Sequence, residues 1–145
     1  MRNQFKIRKG VVLIISIVLF IFIVRTIKPI TYYFTYNNRL NKINENLECS
    51  VAIDPHIRSN KILTVEFKFD YNDQRQVIRN ALPLLFSIYQ SNDYVNKKWL
   101  VVFDKNDPSC ALLVNSFSID SVESISVFRD KKFEWSFTEG VVLVE

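Results

Sequence analysis

Glycine is nearly absent from this 145-residue chain, which holds only Gly10 and Gly140. Phosphate-cradling loops and dinucleotide fingerprints need several glycines, because backbone N–H groups must approach the phosphates around a tight turn. Nucleotide-dependent catalysis through such a loop is therefore excluded. Histidine occurs once, as His56. With Cys49 and Cys110 it makes three candidate metal ligands, but at spacings that match no zinc pattern. His56 sits in a Pro-flanked stretch and reads as a surface loop residue. No nucleophile elbow is present either. The sequence assigns no catalytic residue, no metal and no cofactor, and the chain reads as a non-enzyme.

Acid is missing from the first 28 residues, which hold six of the nineteen basic ones: Arg2, Lys6, Arg8, Lys9, Arg25 and Lys28. Beyond Lys28, thirteen basic residues stand against fifteen acidic ones, so the formal +4 of the whole chain becomes −2 there (13 − 15). The basic excess belongs to the N-terminal segment, where it complements anionic lipid headgroups. A near-neutral remainder without a basic stripe makes nucleic acid a poor partner.

Charge is also missing from residues 11–24, VVLIISIVLFIFIV, which contain neither proline nor glycine. The side chains of Val11, Leu13, Ile15, Leu19, Phe20, Phe22 and Val24 are too apolar for a soluble surface and mark a membrane anchor. Gly10, Thr26 and Ile27 extend the run to about 18 residues, or ~27 Å of helix, if Arg25 and Lys28 snorkel outward. Tyr32, Tyr33 and Phe34 follow at the depth that favours interfacial aromatics. No small residues flank the run as a signal peptidase requires, so an uncleaved signal anchor is expected. Basic residues are nearly balanced on its two sides. The tighter cluster of Lys6, Arg8 and Lys9 favours a cytoplasmic N-terminus. Cys49 and Cys110 would then lie in a disulfide-permissive compartment. They read either as a bridge closing a long loop, contributing roughly 4 kcal/mol, or as two buried thiols.

Residues 30–48 carry Leu40, Ile43 and Leu47 at helical spacing among many asparagines, the pattern of a short amphipathic helix or a stalk. From residue 49 onward the pattern is α+β: a mainly antiparallel sheet with one main helix, in the order ββαββββ. Strands are expected at 49–53 and 63–71, the latter alternating strictly between apolar and polar residues. Asn72 or Asp73 is expected to cap a helix that collects Val77, Ile78, Ala81, Leu82, Leu85 and Tyr89 and is kinked at Pro83. A hairpin follows at 99–103 and 110–114, with further strands at 122–128, 133–137 and 141–144.

The expected organisation is a basic cytoplasmic N-terminus (1–9), a transmembrane signal anchor (10–29), a stalk or amphipathic helix (30–48), and an extracytoplasmic α+β domain (49–145). Asp104 and Asp107 read as turn-capping carboxylates, and Trp99 and Trp135 as core residues. Thr64, Glu66, Lys68 and Asp70 share the wet face of one strand, a candidate docking surface. These features predict a single-pass inner- or plasma-membrane protein that contacts the bilayer and presents a protein-binding module, of inhibitor, immunity or envelope-regulatory type. The alternative is a structural subunit of a bacterial secretion, transfer or division complex. Against it, the anchor has no small-xxx-small seam for close helix packing.

Overall fold

The structure is a computed structural model and describes residues 2–59, 63–82, 97–119, 122–136 and 138–144. The chain divides into two compact units, Met1–Phe34 and Thr35–Glu145.

Helix α1 runs from Arg2 to Glu45. Its apolar stretch, 11–24, is fully hydrogen-bonded along its own backbone and leaves its large side chains exposed, Phe20 and Phe22 by about two thirds. The helix is long and apolar enough to cross a membrane. It passes Pro29, which cannot donate to the preceding turn. Around that point the Thr26 hydroxyl lies 3.1 and 3.0 Å from the Phe22 and Ile23 carbonyls, and Thr31 donates to Ile27 at 2.9 Å. These threonines spend their polar groups on their own helix.

The second unit begins inside α1. Tyr36, Leu40 and Ile43, spaced four and three residues apart, form a buried stripe. Across residues 30–48, expected as a stalk or an amphipathic helix, α1 continues to Glu45 and strand β1 starts at Leu47. Among the described residues the strands are β1 (Leu47–Val51), β2 (Ile53–Ser59), β3 (Leu63–Tyr71), β4 (Gln74–Ala81), β5 (Lys98–Asp104), β6 (Asp107–Ile119), β7 (Lys132–Ser136) and β8 (Gly140–Val144). They form three antiparallel sheets, ordered β1-β5-β6, β2-β3-β4 and β7-β8.

The hairpin expected around Lys105 and Asn106 is present, as β5–β6, with Asn106 N–H donating to the Asp104 carboxylate at 2.9 Å. The strand expected at 63–71 is β3. Two other expectations fail. The segment 74–81 is not helix but strand β4, because Asn72 (φ +50°) and Asp73 (φ +60°) make a two-residue hairpin turn rather than a cap. That left-handed pair matches the strand twist, and asparagine and aspartate tolerate it. The continuation to Pro83, Leu85 and Tyr89 lies outside the described residues. Segment 122–128 is a 3₁₀ helix, not a strand, and Ile125 on it is buried. Among the described residues the order after α1 is six strands, the 3₁₀ turn and a final hairpin, and the end of α1 packs its buried stripe within the domain. Gly140 (φ +78°) closes the β7–β8 hairpin where a left-handed residue is needed.

The core lies between the first two sheets. Val65, Phe67 and Phe69 of β3 meet Trp99, Val101 and Phe103 of β5 and Ala111 and Leu113 of β6. The Phe69 and Phe103 rings sit 4.8 Å apart, and Tyr71 adds an edge contact to Phe103. Each such side chain contributes roughly 1.5–3 kcal/mol by leaving water. The opposite face of β5 and β6 (Leu100, Val102, Leu112, Val114) is buried too. This explains why 99–103 is continuously apolar rather than alternating.

Two polar ties hold the helix end in place. The Asn44 side-chain amide donates to the Phe133 carbonyl (2.8 Å) and accepts from the Phe133 N–H (3.1 Å), a complete pairing with the β7 backbone. The Tyr36 hydroxyl accepts from Ala81 N–H at 2.7 Å, while its ring stacks on Trp135 at 4.2 Å.

Candidate functional site

The outer face of the β2-β3-β4 sheet gathers the four residues of the predicted docking surface. Because β3 is the central strand and alternates, Thr64, Glu66, Lys68 and Asp70 all point away from the core that Val65, Phe67 and Phe69 enter. The register then brings neighbours that the sequence did not pair with them. Glu66 lies opposite His56 on β2 and Arg79 on β4, Asp70 opposite Arg75, and Lys68 opposite Val77.

Glu66 is the hub. Arg79 reaches one carboxylate oxygen with Nη2 at 2.6 Å and Nε at 3.2 Å; Arg58 Nη2 reaches the other at 3.1 Å, with His56 Nε2 at 3.4 Å. The Arg79 hydrogen bonds first, then the charges of Arg58, Arg79 and His56, hold the Glu66 carboxyl below its usual range. Arg58 Nε donates to His56 Nε2 at 3.3 Å, and His56 Nδ1 lies 3.2 Å from the Asp54 carbonyl. His56 is accordingly a strand residue on the surface, not a loop residue. Farther along, Arg75 grips Asp70 with two parallel bonds of 2.8 and 3.0 Å, which depresses the Asp70 pKa and raises that of Arg75. Lys68 Nζ stands 3.7 Å from Asp54. Val77 is exposed amid these charges.

The face thus alternates four cations (Arg58, Lys68, Arg75, Arg79) with three acids (Asp54, Glu66, Asp70) around one exposed aliphatic side chain. Exposed pairs of this kind contribute little to folding, about 0–1 kcal/mol each. Their mutual contacts hold the long side chains in one arrangement of alternating charge.

A second feature is a groove of about 390 Å³ beside β1, lined by Cys49, Ser50, Val51, Ile53, Asp70, Ile125, Ser126 and Arg129. Arg129 closes onto Glu48 at 2.7 Å. The Cys49 thiol is pushed up to about 12 by burial, with Glu48 adding to the effect. It stays protonated at neutral pH and offers no nucleophile.

Cys49 and Cys110 are both free thiols. The proposed bridge is not made. Cys49 pairs with Val102, and Val102 with Leu112, so β5 separates the two strands that carry the cysteines. Two strand spacings come to about 10 Å, beyond the ~7 Å limit for a disulfide's Cα atoms. Cys110 instead faces α1, its sulfur 4.0 Å from the Arg39 carbonyl, and burial raises its pKa.

The remaining candidates fall into structural roles. Asp104 is buried and caps its turn, while Asp107 binds Ser109 at 2.6 Å and Lys42 at 3.3 Å. Trp99 is buried in the core. Val11, Leu13, Ile15, Leu19, Phe20, Phe22 and Val24 lie on the exposed surface of α1. The side chains of Lys6, Arg8 and Lys9 lie outside the described residues. Among the described residues no group of three histidines, cysteines or carboxylates converges on a metal position. Comparison with known proteins finds no matching family, no matching curated protein and no matching solved structure.

Proposed function

We propose that this chain is a single-pass membrane protein of the inner or plasma membrane, with a cytoplasmic N-terminus, whose Thr35–Glu145 domain is an extracytoplasmic protein-binding module. Its role is that of an inhibitor, an immunity factor or an envelope regulator. The observation that carries this reading is the outer face of the β2-β3-β4 sheet, where seven ionic side chains are tied into pairs around the exposed Val77. A patterned surface of alternating charge suits a protein partner with the reciprocal pattern. It suits neither a nucleic acid backbone nor a bare bilayer, both of which reward a single sign. The exposed apolar stretch of α1 supports the anchor.

The reading is tested with a photoreactive amino acid placed at Val77 in the full chain, in its native cells. A discrete protein adduct is expected, and it should disappear when Arg75 and Arg79 are both replaced by glutamate. An adduct unchanged by the charge reversal, or obtained equally from exposed Lys131 in the β7 approach, would reject this face as the site.

A further inference from the structure

We infer that the anchor helix pairs in parallel with α1 of a second copy of this chain, through a heptad seam formed by Phe20, Ile23, Ile27, Ile30 and Phe34. The inference rests on the anchoring reading, because a shared membrane orientation is what makes the pairing parallel. All five seam residues belong to one compact unit and are 43–67% exposed.

Within 11–24 every residue but Ser16 is apolar, so spacing there carries no information. Past Val24 it does. Residues 25–34 read RTIKPITYYF, and the exposed large aliphatics and phenylalanine among them, Ile27, Ile30 and Phe34, continue the three-four spacing set by Phe20 and Ile23. That spacing is the signature of a left-handed two-helix seam. With Phe20, Ile27 and Phe34 at the first core position and Ile23 and Ile30 at the second, the rest of the heptad falls into place. Arg25 occupies an outer position. The positions flanking the seam are Val24, Thr26, Thr31 and Tyr33, none of them charged. Two parallel copies therefore meet no like charges at these positions.

The seam stops where the domain starts. Its next positions are Asn37 and Asn41, and then Asn44, which is committed to the Phe133 backbone. The five side chains expose on the order of 500 Å² per copy, taking roughly 150–250 Å² for a large ring and somewhat less for isoleucine. Two copies together approach the ~1,000 Å² that a specific interface requires. Large knobs in a heptad seam need no small-residue contact, so the lack of a small-xxx-small motif does not argue against it.

The test is cysteine crosslinking of the full chain in native membranes. Cys49→Ala and Cys110→Ser remove the native thiols, and single cysteines are placed at Ile27, Ile30, Arg25 or Tyr32. Each variant is first confirmed in the membrane fraction and then treated with copper phenanthroline. Ile27→Cys and Ile30→Cys should give a species of doubled mass, while Arg25→Cys and Tyr32→Cys remain single. The same variants diluted with excess lipid should keep the seam-specific pattern, which excludes random collision. Equal crosslinking at all four positions, or none at the seam in chains that do sediment with the membrane, would overturn the pairing and leave the anchor intact. Recovery of the chains in the soluble fraction would instead overturn the anchor, and the parallel pairing with it.

Discussion

Replacing Leu40 by alanine removes a fully buried side chain near the end of α1, in the stripe it shares with Tyr36 and Ile43. Deleting a buried leucine to alanine costs about 2.7–5 kcal/mol, through lost transfer energy and the cavity left behind. Leu40 has no exposed surface on which to relax, so ~3–4 kcal/mol is expected. A domain of this size is stable by only about 5–15 kcal/mol, so the loss is a large fraction of the total. At roughly 4–5 °C per kcal/mol for about 110 residues, the melting temperature should fall by ~15 °C. Phe22→Ala on the same helix is the control. Phe22 is exposed, lies off the proposed seam and precedes the domain, so its removal should stay within about 0.5 kcal/mol. The assay is thermal unfolding of the full chain in detergent, followed by near-ultraviolet circular dichroism, where the Tyr36–Trp135 stack gives a tertiary signal. A Leu40→Ala loss under about 1 kcal/mol, or an equal loss from Phe22→Ala, would refute the assignment of residues 35–45 to the domain.

Asn44→Ala removes both hydrogen bonds to Phe133 and leaves that backbone pair half-buried without partners. It should cost about 1–3 kcal/mol, read as a lower denaturant midpoint. Acid should weaken the domain through Glu66, Asp70 and Asp107, whose carboxyls are all held below their ordinary values by their partners. A depressed folded-state pKa gives stability that is fully present above the unfolded values of 4.5 for glutamate and 3.8 for aspartate and is lost as pH falls through the folded ones. The unfolding midpoint should therefore be flat from neutrality to about pH 5 and decline below it, and Glu66→Gln should shallow that decline. With maleimide at neutral pH, Cys110 should react well before the more deeply buried Cys49, and mass spectrometry of the folded chain under mild oxidant should find no intramolecular bridge.

Much of the fold was legible where local chemistry and burial agree. The strict alternation of 63–71 gave β3, and the apolar runs around Lys105 and Asn106 gave the β5–β6 hairpin. Leu40 and Ile43 announced their buried face by spacing alone. Sequence reasoning failed where two periods fit the same residues. Val77, Ile78, Ala81 and Leu82 suit a helical stripe, but tertiary pairing with β3 turns Ile78 inward and Val77 outward. The overlooked signal was Asn72-Asp73, two residues that accept a left-handed turn, directly after an alternating strand. Once β4 is a strand, Arg75 and Arg79 join Glu66 and Asp70. The charged face was thus half visible: its central strand was read correctly, and its cationic partners were hidden in a misassigned helix. Segment 122–128 misled in the same way: it was read as a strand but forms a 3₁₀ helix, in which Ile125 is buried and Val127 exposed. The cysteines could not be paired or separated without knowing that β5 runs between them.

Topology is the measurement that decides most about this chain. With Cys49→Ala and Cys110→Ser in place, a single cysteine at exposed Glu139 of the β7–β8 hairpin loop would be challenged with a membrane-impermeant maleimide on spheroplasts. A carbonate-resistant membrane protein that is labelled without permeabilisation is the predicted result, placing the charged face where envelope and extracellular proteins can reach it. Labelling only after lysis would put the domain in the cytosol and contradict the proposed role, whatever the charged face binds.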